Sequence, residues 1–141
     1  MKIYTTTSEI ETEGLAASIA GTLGPGSVLA LRGGLGAGKT AFVRGLAAGL
    51  GLSCEVSSPT FALVHEYPGK SVTLYHFDMY RVDGWQSLYS TGFFDYLDGG
   101  GILAVEWSEN IQNALPENTI YITIEITGET DRVITVGGGA S

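Results

Sequence analysis

A three-layer α/β domain is expected, built on a mixed sheet with a parallel core and antiparallel hairpin edges. Three observations predict it. Two short apolar runs, 28–31 and 102–105, have the content of parallel strands buried on both faces. Stretches of helical spacing lie between such runs. Two further pairs of runs, 61–66 with 72–77 and 120–126 with 132–136, are joined by turn residues as hairpins are. The 141 residues suffice for one domain with a real core and leave little room for a second. We expect that domain over residues 1–136 and a flexible tail over 137–141.

The elements follow in order. Lys2 to Tyr4 reads as a short strand. Ser8, followed by Glu9 and Glu11, has the form of a helix start, because a hydroxyl caps and acids suit the first turn. Ile10, Leu15, Ile19 and Leu23 then give a helical stripe, stopped by Gly24-Pro25-Gly26. Val28 to Leu31 runs into a glycine loop. Thr40 to Leu50 reads as a helix with Phe42, Val43, Leu46, Ala47 and Leu50 on one broad face, ended by Gly51. Pro68-Gly69 turns the first hairpin. Residues 86–97 are expected to be mostly helical, and Gly99 to Gly101 break them. Ser108 to Leu115 reads as one or two helical turns before Pro116. Ile120, Ile122, Ile124 and Ile126 alternate with Tyr121, Thr123, Glu125 and Thr127, a period of two that buries one face of a strand.

Composition excludes several classes. Hydrophobic residues are 44% and charged residues 16%, which rules against disorder. The net charge of −8 rules against unaided binding to a nucleic-acid backbone or an anionic membrane. The single cysteine, Cys54, permits no internal disulfide and no two-cysteine metal site. No apolar run approaches the ~18 residues of a membrane helix. The residues after Met1 lack a signal-peptide stretch, so a reducing cytoplasm is the expected location.

The strongest motif is Gly33-Gly34-Leu35-Gly36-Ala37-Gly38-Lys39-Thr40, which matches G-x-x-x-x-G-K-[ST] at every fixed position, with a strand expected before it and a helix after it. Glycines let successive N–H groups turn inward around phosphate oxygens, and the helix adds its positive end. Lys39 can then reach the β- and γ-phosphates, and Thr40 can ligate Mg²⁺. Two acids end strand candidates, Asp78 after Leu74 to Phe77 and Glu106 after Ile102 to Val105. The carboxyl edge of a parallel sheet is where ligands lie. Either acid could serve Mg²⁺ or orient an attacking water, and a solvated cap is the plain alternative for each. His76 shares a strand face with Asp78 and could orient the carboxylate or a phosphate, or simply pack. Ser57 to Thr60 form a loop of the kind that supplies a hydroxyl near a γ-phosphate in nucleotide switches.

Together these residues resemble the TsaE family, also called the YjeE family. The resemblance runs from Ser8 to about Arg132. Leu35-Gly36-Ala37-Gly38-Lys39-Thr40 with Phe42 and Arg44-Gly45 resembles L-G-A-G-K-T-x-F-x-R-G. Ser58-Pro59-Thr60-Phe61, with Leu63-Val64 and Tyr67, resembles S-P-T-F-x-L-V-x-x-Y, and His76 to Arg81 resembles H-x-D-x-Y-R. Glu106-Trp107 resembles the family's late E-W pair. Two positions depart: Gly34 stands where the family usually has an acid, and Ala41 where a second threonine is frequent.

The resemblance implies a P-loop NTPase fold and a Mg²⁺-dependent ATPase of bacterial tRNA threonylcarbamoyladenosine synthesis. It implies that Gly36, Ala37, Gly38, Lys39, Thr40 and Ala41 hold the triphosphate of ATP. Thr40 and Glu106 would be the metal-side residues, and Asp78 would serve the metal or the attacking water. Thr60 would belong to a switch-like segment and Trp107 would lie beside the site. The first helix and Arg132 would contribute to the adenine site. The implied partners are TsaD and TsaB, with tRNA reached only through them. Two other readings of the motif remain, a small-molecule P-loop kinase and a nucleotide-dependent switch or binding module. The absence of an arginine-rich lid weighs against the first, and of an N-K-x-D motif against a guanine-specific form of the second.

Overall fold

The computed structural model describes residues 1–34, 36–52, 56 and 63–138. Among the described residues seven strands form one sheet, in the order β1-β7-β6-β2-β5-β4-β3. They are β1 (Lys2–Thr6), β2 (Val28–Arg32), β3 (Val64–Tyr67), β4 (Leu74–Asp78), β5 (Ile102–Glu106), β6 (Ile120–Ile126) and β7 (Arg132–Gly138). The four central strands β6, β2, β5 and β4 run parallel. β3 closes one edge antiparallel to β4, and β7 and β1 close the other antiparallel to β6 and to each other. This is the mixed sheet with hairpin edges that the patterning predicts. The helices are α1 (Glu9–Ala20), α2 (Lys39–Gly49), α3 (Trp85–Ser90) and α4 (Phe93–Asp98), with a 3₁₀ segment over Ser108–Ala114.

Alternation along the strands makes two cores. Leu29 and Leu31 of β2, Leu74 of β4, Ile102 and Ala104 of β5 and Ile122 and Ile124 of β6 join α1 and α2 on one face. Val28, Leu103, Val105 and Phe77 meet Leu88, Phe93 and Ile111 on the other, under α3, α4 and the 3₁₀ segment. Strands β2 and β5 are covered on both faces, which is why their sequences are nearly continuous apolar runs.

Helix α1 starts where the sequence places it. Ser8 Oγ accepts from the Glu11 N–H at 3.1 Å, and the Glu11 carboxylate accepts from the Thr7 N–H at 2.8 Å. This satisfies two donors at the helix start. The face that α1 buries is not the expected stripe. Thr12, Ala16 and Ala20 are buried, Leu15, Ile19 and Leu23 only flank the core, and Ile10 is 80% exposed. The cause lies in α2. A Cβ on Gly49 would stand 2.6 Å from the Ala17 carbonyl oxygen, and one on Gly45 would strike the Glu13 backbone. The two helices touch almost backbone to backbone, so only small side chains fit the seam.

Residues 86–97 are mostly helical, as expected, in two short helices split at Thr91-Gly92, where Gly92 has φ 79°. Two other expectations are corrected. The last strand runs two residues further than expected: Gly137 and Gly138 pair with Tyr121 and Ile120, so the tail cannot begin at 137. Residues 139–141 lie outside the described residues. In β6, Ile122 and Ile124 are buried, but Ile126, the last residue of the strand, is 54% exposed.

Candidate functional site

The register sets the site. Leu31, Glu106 and Asp78 form one row across β2, β5 and β4, at their carboxyl ends. The glycine loop leaves β2 at this row and enters α2. Gly36 and Gly38 have φ of 78° and 106°, a left-handed conformation that side chains resist. The cap position of α2 is Gly38, which offers no side-chain oxygen to the first-turn N–H groups. Those donors and the helix dipole therefore remain available to an anion. Ala37 and Ala41 are buried in the loop and first turn, and Thr40 is half-buried beside them.

Lys39 is 9% exposed. Its Nζ lies 3.9 Å from Glu106 Oε1 and 5.0 Å from the centre of the Trp107 ring. A lysine held loosely between a carboxylate and an aromatic face is poised to exchange both for a phosphate, a stronger and charge-assisted partner. Trp107 reaches this place through a left-handed backbone, φ 56°, directly after β5. Such a conformation in a large residue costs of order 1 kcal/mol or more and persists where surroundings impose it. Here Tyr80 packs edge-on against the indole at 5.0 Å.

The two acids differ in their surroundings, although each is 5% exposed. Asp78 Oδ1 accepts from the Tyr80 N–H at 2.9 Å, bracing the turn after β4. Glu106 faces Lys39 with one oxygen and His76 Nε2 with the other, at 2.5 Å. The structure thus brings Lys39, Asp78, Glu106, Trp107 and His76 to one edge of the sheet. Among the described residues no group of three His, Cys, Asp or Glu side chains could enclose a metal ion. A cation there would need Thr40, one acid, water and the phosphates of a ligand, which is how Mg²⁺ is commonly held. Leu35 and the segment containing Thr60 lie outside the described residues.

Sequence reasoning connected Arg132 only with adenine. In the structure its Nε donates to the Ala37 carbonyl at 3.0 Å and its Nη2 to the Gly36 carbonyl at 3.3 Å. Its Nη1 donates to the carbonyls of Gly128 and Asp131. The guanidinium pins the outward carbonyls of the loop to the start of β7 and so holds the loop's shape. No local pattern could reveal a contact between residues 95 positions apart. A cleft of about 230 Å³ opens beside the loop, between Glu9 and Thr12 of α1, Ala41 of α2 and Thr130 and Arg132 at the β6–β7 turn.

Comparison with known proteins shows the family and the fold. The family model described as "Threonylcarbamoyl adenosine biosynthesis protein TsaE" matches residues 6–134. The chain is 43% identical over 111 residues to the tRNA threonylcarbamoyladenosine biosynthesis protein TsaE of Treponema pallidum, covering 79% of this chain and 82% of that one. It is 39% identical over 132 residues to the Bacillus subtilis protein of the same description, covering 94% and 82%. A crystal structure of YdiB from Bacillus subtilis superposes with a TM-score of 0.83 at 35% identity, covering 99% of this chain and 86% of that one. The chain therefore belongs to the TsaE family of tRNA threonylcarbamoyladenosine biosynthesis proteins.

Proposed function

We propose that this protein is a cytoplasmic Mg²⁺-dependent ATPase that works with TsaD and TsaB, supporting turnover of the complex that builds threonylcarbamoyladenosine on tRNA. The observation that carries the reading is the convergence of Lys39, Asp78 and Glu106 at the uncapped start of α2. Backbone N–H groups of Gly36 to Ala41 would cradle the β- and γ-phosphates. Lys39 would leave Glu106 for the γ-phosphate, and Thr40 with Glu106 or Asp78 would hold Mg²⁺. Bound Mg²⁺ would supply charge neutralisation at the phosphates. The nucleoside would extend into the cleft between α1 and the β6–β7 turn, beside Arg132. One of the two carboxylates would orient a water for in-line attack on the γ-phosphorus, breaking its bond to the bridging oxygen and releasing ADP and phosphate.

The net charge of −8 supports indirect contact with tRNA, through a more basic protein partner. The test is hydrolysis of Mg²⁺-ATP by the purified chain, alone and with TsaD–TsaB. Slow turnover that rises with the partners is the expected result. Turnover indifferent to them would remove the coupling, and a requirement for a small-molecule acceptor would make the protein a kinase. Lys39→Ala should lower ATP affinity by about 10- to 100-fold, the loss of one charge-assisted contact. Undiminished affinity, read by calorimetry, would remove the phosphate site itself.

A further inference from the structure

We propose that His76 is a positioning residue for Glu106: it donates from Nε2 to one carboxylate oxygen and leaves the other free to act at the phosphates. This deepens the ATPase reading and rests on it. His76 is fully buried in β4, outside the glycine loop and both acids. It pairs in register with Ala104, and Asp78 pairs with Glu106, so His76 and Glu106 are diagonal neighbours on one face. The methyl side chain of Ala104 leaves room for the imidazole to reach across to Glu106.

The tautomer follows from what surrounds the ring. His76 Nδ1 is buried and has no partner among the described residues. A hydrogen on Nδ1 would be buried unpaired, and a bare Nε2 would turn its lone pair toward the carboxylate. The geometry places the hydrogen on Nε2, against Glu106 Oε2 at 2.5 Å. When Lys39 turns to a phosphate, Oε1 becomes the unpaired acceptor, and the carboxylate cannot rotate away because Oε2 is held. His76 accepts no proton in this scheme. It fixes direction, and small misplacements of a catalytic group are costly.

The test uses the full chain with His76→Leu, which removes the donor, and His76→Gln, whose amide N–H₂ reaches nearly as far as Nε2. With His76→Leu, hydrolysis at saturating Mg²⁺-ATP should fall roughly 10- to 100-fold while ATP affinity by calorimetry changes little. His76→Gln should restore most of the rate. Nitrogen-15 NMR of the imidazole in the nucleotide-free wild type should show a protonated Nε2 and a bare Nδ1. Three results would each overturn the proposal: wild-type hydrolysis by His76→Leu, a Gln variant no faster than the Leu variant, or a protonated Nδ1. If His76→Leu does not fold, the Gln variant and the NMR assignment decide. Should the wild type bind ATP yet never hydrolyse it, the ATPase reading fails, while the NMR still tests the pairing.

Discussion

The two faces of the sheet are packed by different means. Against one, α1 and α2 meet backbone to backbone through Gly45, Gly49, Ala16 and Ala20. Against the other, α3 and α4 are each six residues long, lack side-chain N-caps, and are held by aromatic contacts such as Phe77 with Phe93 and Tyr96. Small-residue packing leaves no slack, and it is the first of α2's turns that carries the glycine loop. Aromatic packing tolerates adjustment, and it leaves Trp85 and Tyr89 more than half exposed. The difference sets the glycine loop on the tightly packed helix pair and leaves a softer layer behind the site.

The sharpest way to break that contrast is Gly45→Val. The side chain would collide with the Glu13 backbone, and a loss of about 3 kcal/mol is expected from chemical denaturation. A loss below about 1 kcal/mol would mean the seam opens freely, and the rigid face would not be rigid. Next comes Arg132→Met. It removes the donors to the Gly36 and Ala37 carbonyls and should weaken ATP binding by about 10-fold, with a smaller effect on stability. An unchanged affinity would show that the loop holds its shape without that clamp. On the softer face, Trp85→Ala should cost no more than about 1 kcal/mol, since the indole is 53% exposed, stacks on Phe94 and lies tilted against Tyr89. A cost like that of Gly45→Val would erase the distinction.

The smallest effect concerns pH. Burial, then the charge of Glu66, raises the Tyr96 phenol above its ordinary 10.0. The neutral phenol is therefore the form that the fold favours. Its contribution is complete below pH 10 and is lost as pH climbs through the raised value. Alkaline absorbance titration should show one late tyrosine that Tyr96→Phe removes, and above pH 10 the wild type should lose stability relative to that variant. A titration unchanged by Tyr96→Phe would leave the aromatic layer without this polar tie.

Much of the site was legible because its signals are local. The spacing Gly33 to Thr40 already contains the loop, and Asp78 and Glu106 end runs that read as strand candidates. His76 was placed on Asp78's face by alternation, but its partner proved to be Glu106, on the next strand. The buried face of α1 was misread because hydrophobicity favours Ile10 and Leu15, whereas the close approach of α2 admits only alanine and threonine. The break at Gly92 was missed because residues 86–97 contain enough apolar side chains to satisfy a helix on either side of it.

By itself, then, the sequence determined the layered α/β class, the strand alternation, the Ser8 cap and the glycine loop between β2 and α2. Each depends on neighbours within a turn or a strand. Only the tertiary structure decided which face of α1 is buried, that Arg132 grips the loop from β7, and that Glu106 stands between Lys39 and His76. Those outcomes join residues tens of positions apart, and they follow from strand register and helix approach, which no single stretch of chain encodes.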